Sequence, residues 1–133
     1  MIASVARKRT RWLGLAATAA ALVLAVPITA ASAYPVQARK DIQAMGLDYN
    51  GPAFAKVAGN GDMAAVKLYL DAGMDVNEGG SAAIGLAAGR GKLEMDKFLL
   101  SVGAKPTSNA LQYARTRGYK DVEQVLVDAG AKE

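Results

Sequence analysis

The chain has 133 residues, a length that fits one domain, and its 52% hydrophobic and 21% charged content excludes a disordered polypeptide. It carries neither cysteine nor histidine. That excludes disulfides, thiol catalysis, Ser–His–Asp triads and metal sites built on either residue. The net charge is +4, but it is unevenly distributed.

Arg7, Lys8, Arg9 and Arg11 precede an uncharged apolar run from Trp12 to Val26, which Pro27 breaks. Ala31-Ser32-Ala33 follows, with small residues at the spacing a signal peptidase reads. A charged start, a short apolar middle and a small-x-small end make residues 1–33 a cleavable secretory signal peptide. The run falls short of the ~20 residues that span a bilayer comfortably. A product starting at Tyr34 in the periplasm or outside the cell is expected; the alternative is a membrane-tethered structural protein with an uncleaved anchor. Those four cations are the only ionised side chains before Tyr34, so residues 34–133 are neutral overall. The basic character belongs to the precursor and does not point to nucleic acid, which calls for a clustered basic surface.

From Tyr34 onward the chain reads as helices. Residues 36–45 form a first helix, stopped by Gly46. Three segments then align. Phe54-Ala55-Lys56-Val57-Ala58-Gly59-Asn60-Gly61-Asp62 matches Ile84-Gly85-Leu86-Ala87-Ala88-Gly89-Arg90-Gly91-Lys92, and Leu111-Gln112-Tyr113-Ala114-Arg115-Thr116-Arg117-Gly118-Tyr119 follows the same pattern. Each leads into an apolar helix closed by Gly73, Gly103 or Gly130. Gly61, Gly91 and Gly118 stand where a first helix must end and reverse, in a left-handed conformation that glycine adopts freely. Asn50 with Pro52, Asp62, Ser81 and Ser108 mark helix starts. Periodicity of this kind signals stacked helical hairpins, each unable to bury its apolar side alone.

These segments resemble the ankyrin-repeat family over about residues 48–133. Leu86-Ala87-Ala88-Gly89-Arg90-Gly91 is similar to the family's L-A-A-x-x-G core, and Gly73-Met74-Asp75-Val76-Asn77 to its G-A-D-V-N turn; Gly103-Ala104 and Gly130-Ala131 match in part. The stretch from Met45 to Asn50, followed by Phe54, is similar to the lead-in of bacterial members. The resemblance implies an all-α ankyrin-repeat solenoid. Residues 34–47 would form an N-terminal capping helix, followed by three helix-turn-helix repeats at about 48–78, 79–105 and 106–133. Against the family period of about 33 residues the junctions are short, so shortened fingers between repeats are expected. The family's Thr and His are replaced by Pro52, Ala82 and Asn109, and by Ala55, Gly85 and Gln112. The hydrogen bonds lost with them, each worth on the order of 1 kcal/mol, imply a marginally stable domain. Arg115 and Glu123, standing where earlier units have Ala58, Ala88 and Val66, fit a polar C-terminal cap.

The resemblance also implies a non-catalytic module that binds another protein, with no cofactor and no nucleic acid, acting as a monomer. Lys56, Asn60, Gly85, Arg90, Gln112, Thr116 and Arg117 are the candidate partner-binding residues. Arg90 and Arg117, with Lys92, Arg115 and Lys120 nearby, would form an electropositive ridge; the plainer reading is cations offsetting helix C-terminal dipoles. Gly85 is either part of a smooth patch or a packing residue. Asp96 occupies an apolar slot and is expected to be partly exposed, paired with Lys92 or Arg115, because a buried unpaired charge costs several kcal/mol. Motifs of enzymes fail on context. Gly59-Asn60-Gly61-Asp62-Met63-Ala64 fits a dinucleotide loop without its preceding strand. The Gly85–Lys92 stretch has the wrong phosphate-loop spacing. The segment from Asp75 lacks a calcium loop's final Glu, having Leu86 there.

Overall fold

The computed structural model describes residues 34–133 and gathers Pro35–Glu133 into one unit; the signal expected at 1–33 lies outside the described residues. The fold is all-α, with no strand among the described residues. Helix α1 covers 34–44. It is followed by α2 (Gly51–Gly59), α3 (Met63–Asp71), α4 (Glu78–Gly89), α5 (Leu93–Ser101), α6 (Ser108–Arg117) and α7 (Lys120–Asp128). No helix of the described residues is long and apolar enough to cross a membrane.

The helices stop by one device. After α2 the amide of Gly61 donates to the carbonyl of Ala58 and that of Asp62 reaches back to Val57. The same pair of bonds closes α4 through Gly91 and Lys92, and α6 through Gly118 and Tyr119. It recurs at Gly46, Gly73, Gly103 and Gly130. This is a Schellman closure, which satisfies two orphan carbonyls and needs a left-handed residue; these glycines all have positive φ. The starts are equally local. Asn50 Oδ1 accepts from the Ala53 amide at 2.8 Å, and Asp62 Oδ1 from that of Ala65 at 3.1 Å. Asp62 thus closes α2 and opens α3, which makes the first hairpin turn very short.

Three helix pairs follow α1. Helices α2 and α3, α4 and α5, and α6 and α7 pack within their pairs, while α2 packs on α4, α4 on α6, and α5 on α7. Residues 54–70 and 84–100 are buried, half-buried and exposed in the same order, with one difference: Gly61 is exposed and Gly91 half-buried. A single apolar core runs through the pairs, from Ala38 and Ile42 of α1 through Phe54, Tyr69, Ile84, Leu99 and Leu111 to Val122 and Leu126. In the last pair Gln112, Arg115 and Thr116 are exposed where Gly85, Ala88 and Gly89 are buried. Arg115 Nε donates to Glu123 Oε1 at 2.8 Å, and its Nη1 pairs with Glu133. A guanidinium and a carboxylate therefore replace small and apolar residues together, in the last of the described helix pairs.

Two helix starts differ from the sequence reading. Helix α6 is capped by Thr107, whose Oγ1 accepts from the Ala110 amide, so Ser108 already lies in the first turn. At the start of α4, Gly79, Gly80 and Ser81 are all left-handed, with φ of 66°, 68° and 65°. Ser81 therefore does not cap the helix; it is buried and its hydroxyl donates to Asn77 Oδ1 at 2.8 Å. A left-handed serine costs about 1–2 kcal/mol, and Asn77 offsets it. The same Oδ1 accepts from the Lys105 amide at 2.8 Å, and Asn77 Nδ2 donates to the Gly103 carbonyl at 3.1 Å. One amide side chain ties the joint before α4 to the joint after α5. Asn77→Ala should lower stability by about 1–3 kcal/mol, read as a lower urea midpoint at unchanged slope. An unchanged midpoint would mean that water replaces these bonds without loss.

Candidate functional site

The row α2–α4–α6 buries many small residues beside Phe54, Val57, Ile84 and Leu111: Ala55, Ala58 and Gly59 on α2, Ala83, Gly85, Ala88 and Gly89 on α4, Ala110 and Ala114 on α6. Two of the glycines leave room for specific side chains. A Cβ on Gly59 would stand 3.1 Å from Leu86 Cβ and 3.2 Å from Arg90 Nη1; one on Gly89 would meet Tyr113 Cβ at 3.5 Å. Leu86 and Arg90, one turn apart, lie across Gly59. Tyr113, one turn before Arg117, lies across Gly89 in the same way.

Both arginines are anchored by neutral acceptors on the preceding helix pair. Arg90 Nη1 donates to Asn60 Oδ1 at 2.7 Å, and Arg117 Nη1 donates to the Gly89 carbonyl. Neither guanidinium meets a carboxylate among the described residues; the ion pairs there join Lys97 to Glu94, Arg115 to Glu123 and Glu133, and Lys120 to Glu123. Leu86 and Tyr113 beside them are 37% and 48% exposed, enough for each to present apolar surface to a ligand.

Charge is divided between the two layers of helices. Beyond Glu78 at the start of α4, the helices α2, α4 and α6 with their C-caps carry Lys56, Arg90, Arg115 and Arg117 and no acid. Helices α3, α5 and α7 carry Asp71, Glu94, Asp96, Asp121, Glu123 and Asp128 against Lys67, Lys97 and Lys120. Residues 34–133 are neutral in sum and polar in distribution.

Of the sequence candidates, Lys56, Asn60, Arg90 and Arg117 are exposed and belong to the α2–α4–α6 side. Asn60 and Arg90 are in direct contact, while Lys56 and Asn60 also border a hollow formed with Leu47, Asp48 and Asn50. Gln112 and Thr116 are set apart. They occupy the positions of Gly85 and Gly89 on the last described helix pair, where both are exposed, and Gln112 lines a recess of about 390 Å³ with Ser108, Leu111, Arg115 and Glu133. Gly85 is buried, and a Cβ there would come 3.9 Å from the Tyr113 ring. It serves packing and is not a surface patch. The five-cation ridge contracts to Arg90, Lys92 and Arg117, because Arg115 and Lys120 are neutralised by Glu123 and Glu133. Sequence reading missed Leu86 and Tyr113; their shared offset of four residues from Arg90 and Arg117 was the available signal.

Asp96 overturns its expectation. It is fully buried, neither carboxylate oxygen has a partner, and neither Lys92 nor Arg115 pairs with it. Burial pushes its carboxyl up to about 8, so it is held as the neutral acid at pH 7. At the matching position of the last pair, Glu123 is held below the usual carboxylate range by its hydrogen bond to Arg115. The difference between the two follows from Ala88 standing where the last pair has Arg115.

A carboxyl with a raised folded pKa binds more protons folded than unfolded between its two values. Its contribution is complete below about 4 and falls by about 1.4 kcal/mol per pH unit until about 8. Asp96→Val should therefore be the more stable protein, with a margin in melting temperature that widens from pH 5 to pH 8. A margin independent of pH would show that Asp96 binds its proton equally well in the folded and the unfolded chain.

The chain matches no protein-family model and no curated protein.

Proposed function

We propose that residues 48–133 are an ankyrin-repeat-type solenoid of three repeats, capped by α1, and that it is an exported, non-catalytic module that binds another protein. Support for the solenoid comes from the ordered contacts of α2 with α4 and α4 with α6, and from burial that repeats between 54–70 and 84–100. The shortened fingers of this reading correspond to the brief joints at 74–77 and 104–107.

The observation that carries the binding role is the exposed pairing of Leu86 with Arg90 and of Tyr113 with Arg117 on one row of helices. The hydrogen bonds to Asn60 and Gly89 account for where the two guanidinium groups are held but not for the exposed Leu86 and Tyr113 beside them, and interfaces are enriched in arginine and aromatic residues. Three repeats offer a small platform, so an interface of standard size or less is expected.

A photo-crosslinking residue placed at Leu86 or Tyr113 in the producing cell should give discrete adducts that the same residue at Lys97 on α5 does not give. The same pattern at all three positions would remove the binding role from this row. Export is a separate part of the proposal: N-terminal sequencing of the exported product should begin at Tyr34, and retention of residues 1–33 would replace the released module by a tethered one.

A further inference from the structure

We propose that the Leu86–Arg90 and Tyr113–Arg117 pairs are two successive receptors for an extended acidic segment of the partner protein, with carboxylates three residues apart. This rests on the binding role proposed above and names the chemistry of its ligand.

The two pairs are built alike. Each lies over a glycine of the preceding inner helix, Gly59 or Gly89, and each arginine spends one amino group on a neutral oxygen of that preceding pair. The anchoring fixes the guanidinium and leaves its other donors for a ligand. A guanidinium with two parallel N–H groups is matched by a carboxylate, which accepts both. No acid of α2, of α6 or of residues 82–89 competes for it. The ligand is thus negative where it meets Arg90 and Arg117.

Spacing sets its conformation. Packed helices lie about 8–10 Å apart, and Arg90 and Arg117 are equivalent positions on neighbouring helices. An extended chain in the polyproline II form makes three residues per turn and advances about 3.1 Å per residue, so carboxylates three residues apart share one face and span the same distance. Leu86 and Tyr113 add apolar contact beside each guanidinium, which favours a polypeptide bearing apolar side chains. A nucleic acid would draw instead on a larger basic surface than this neutral domain has.

The test uses residues 34–133 as the exported product and four synthetic ten-residue peptides, each with two glutamates, separated by one, three, five or seven positions in an otherwise identical Leu/Ser/Pro background. Binding is read by fluorescence anisotropy at 50 and 500 mM salt, and the contact surface by amide chemical shifts. The peptide with the three-residue separation should bind tightest, weaken at high salt, and move the amides around Leu86, Arg90, Tyr113 and Arg117. Arg90→Gln with Arg117→Gln should weaken it by about tenfold or more in a protein that still folds, as its unchanged helical circular dichroism at the assay temperature would show. Leu86→Ser should weaken it without changing the salt dependence.

Equal affinity for all four peptides, shifts confined to another face, or affinity that survives the double arginine substitution would each overturn the proposal. So would absence of binding at millimolar peptide, tighter binding of a ten-nucleotide oligothymidylate, or a dimer of the protein itself that the arginine substitutions dissolve. If the peptides fail while crosslinks at Leu86 and Tyr113 persist, the ligand chemistry is wrong and the binding role stands; if the crosslinks fail as well, the binding role falls with it.

Discussion

The close approach of α2, α4 and α6 is the constraint on which the rest of the molecule depends. A helix pair of some 20 residues cannot hide its apolar side by itself. Here each pair does so against the next, and alanine and glycine at the contacts let the backbones come near enough. The closeness has a second effect. With no bulk at Gly59 or Gly89, side chains that begin on one helix can lie across its neighbour, as Arg90 does over Gly59 and Tyr113 over Gly89. The same small residues that build the core thus shape the exposed surface beside it.

Helix ends were plain in the sequence because they are local. A Schellman closure needs a left-handed residue whatever the surrounding fold, so each glycine at a hairpin turn announced itself. The polar cap was legible for a similar reason: Arg115 and Glu123 replace small and apolar residues at two positions that face one another, and opposite charges introduced together imply contact. The order of the helices followed from repetition alone.

What the sequence concealed depends on neighbours that are distant along the chain. Asp96 looks like any surface acid near a lysine, and only the packing of its helix puts it out of reach of Lys92 and of water. The carboxyl answers by keeping its proton, which removes the charge whose burial made the exposed reading attractive. Ser81 carries a helix-capping residue type, yet Asn77 holds its hydroxyl and the two glycines before it turn the backbone the other way. Gly85 and Gln112 occupy the same place in their units and were assigned to one face; Tyr113 of the next helix lies over Gly85, while Gln112 is exposed beside Arg115 and Glu133.

The left-handed run through Gly79, Gly80 and Ser81 bears on how the domain comes apart. Two adjacent glycines surrender more conformational freedom on folding than any other dipeptide, and the backbone bond that spans them, from the Ser81 amide to the Asn77 carbonyl, ends within the joint. Thermal opening would therefore begin locally at this joint, while the packing of α2 on α4 still holds the two hairpins together. Hydrogen exchange would then find fast amides at 79–81 inside a domain whose helices are protected together.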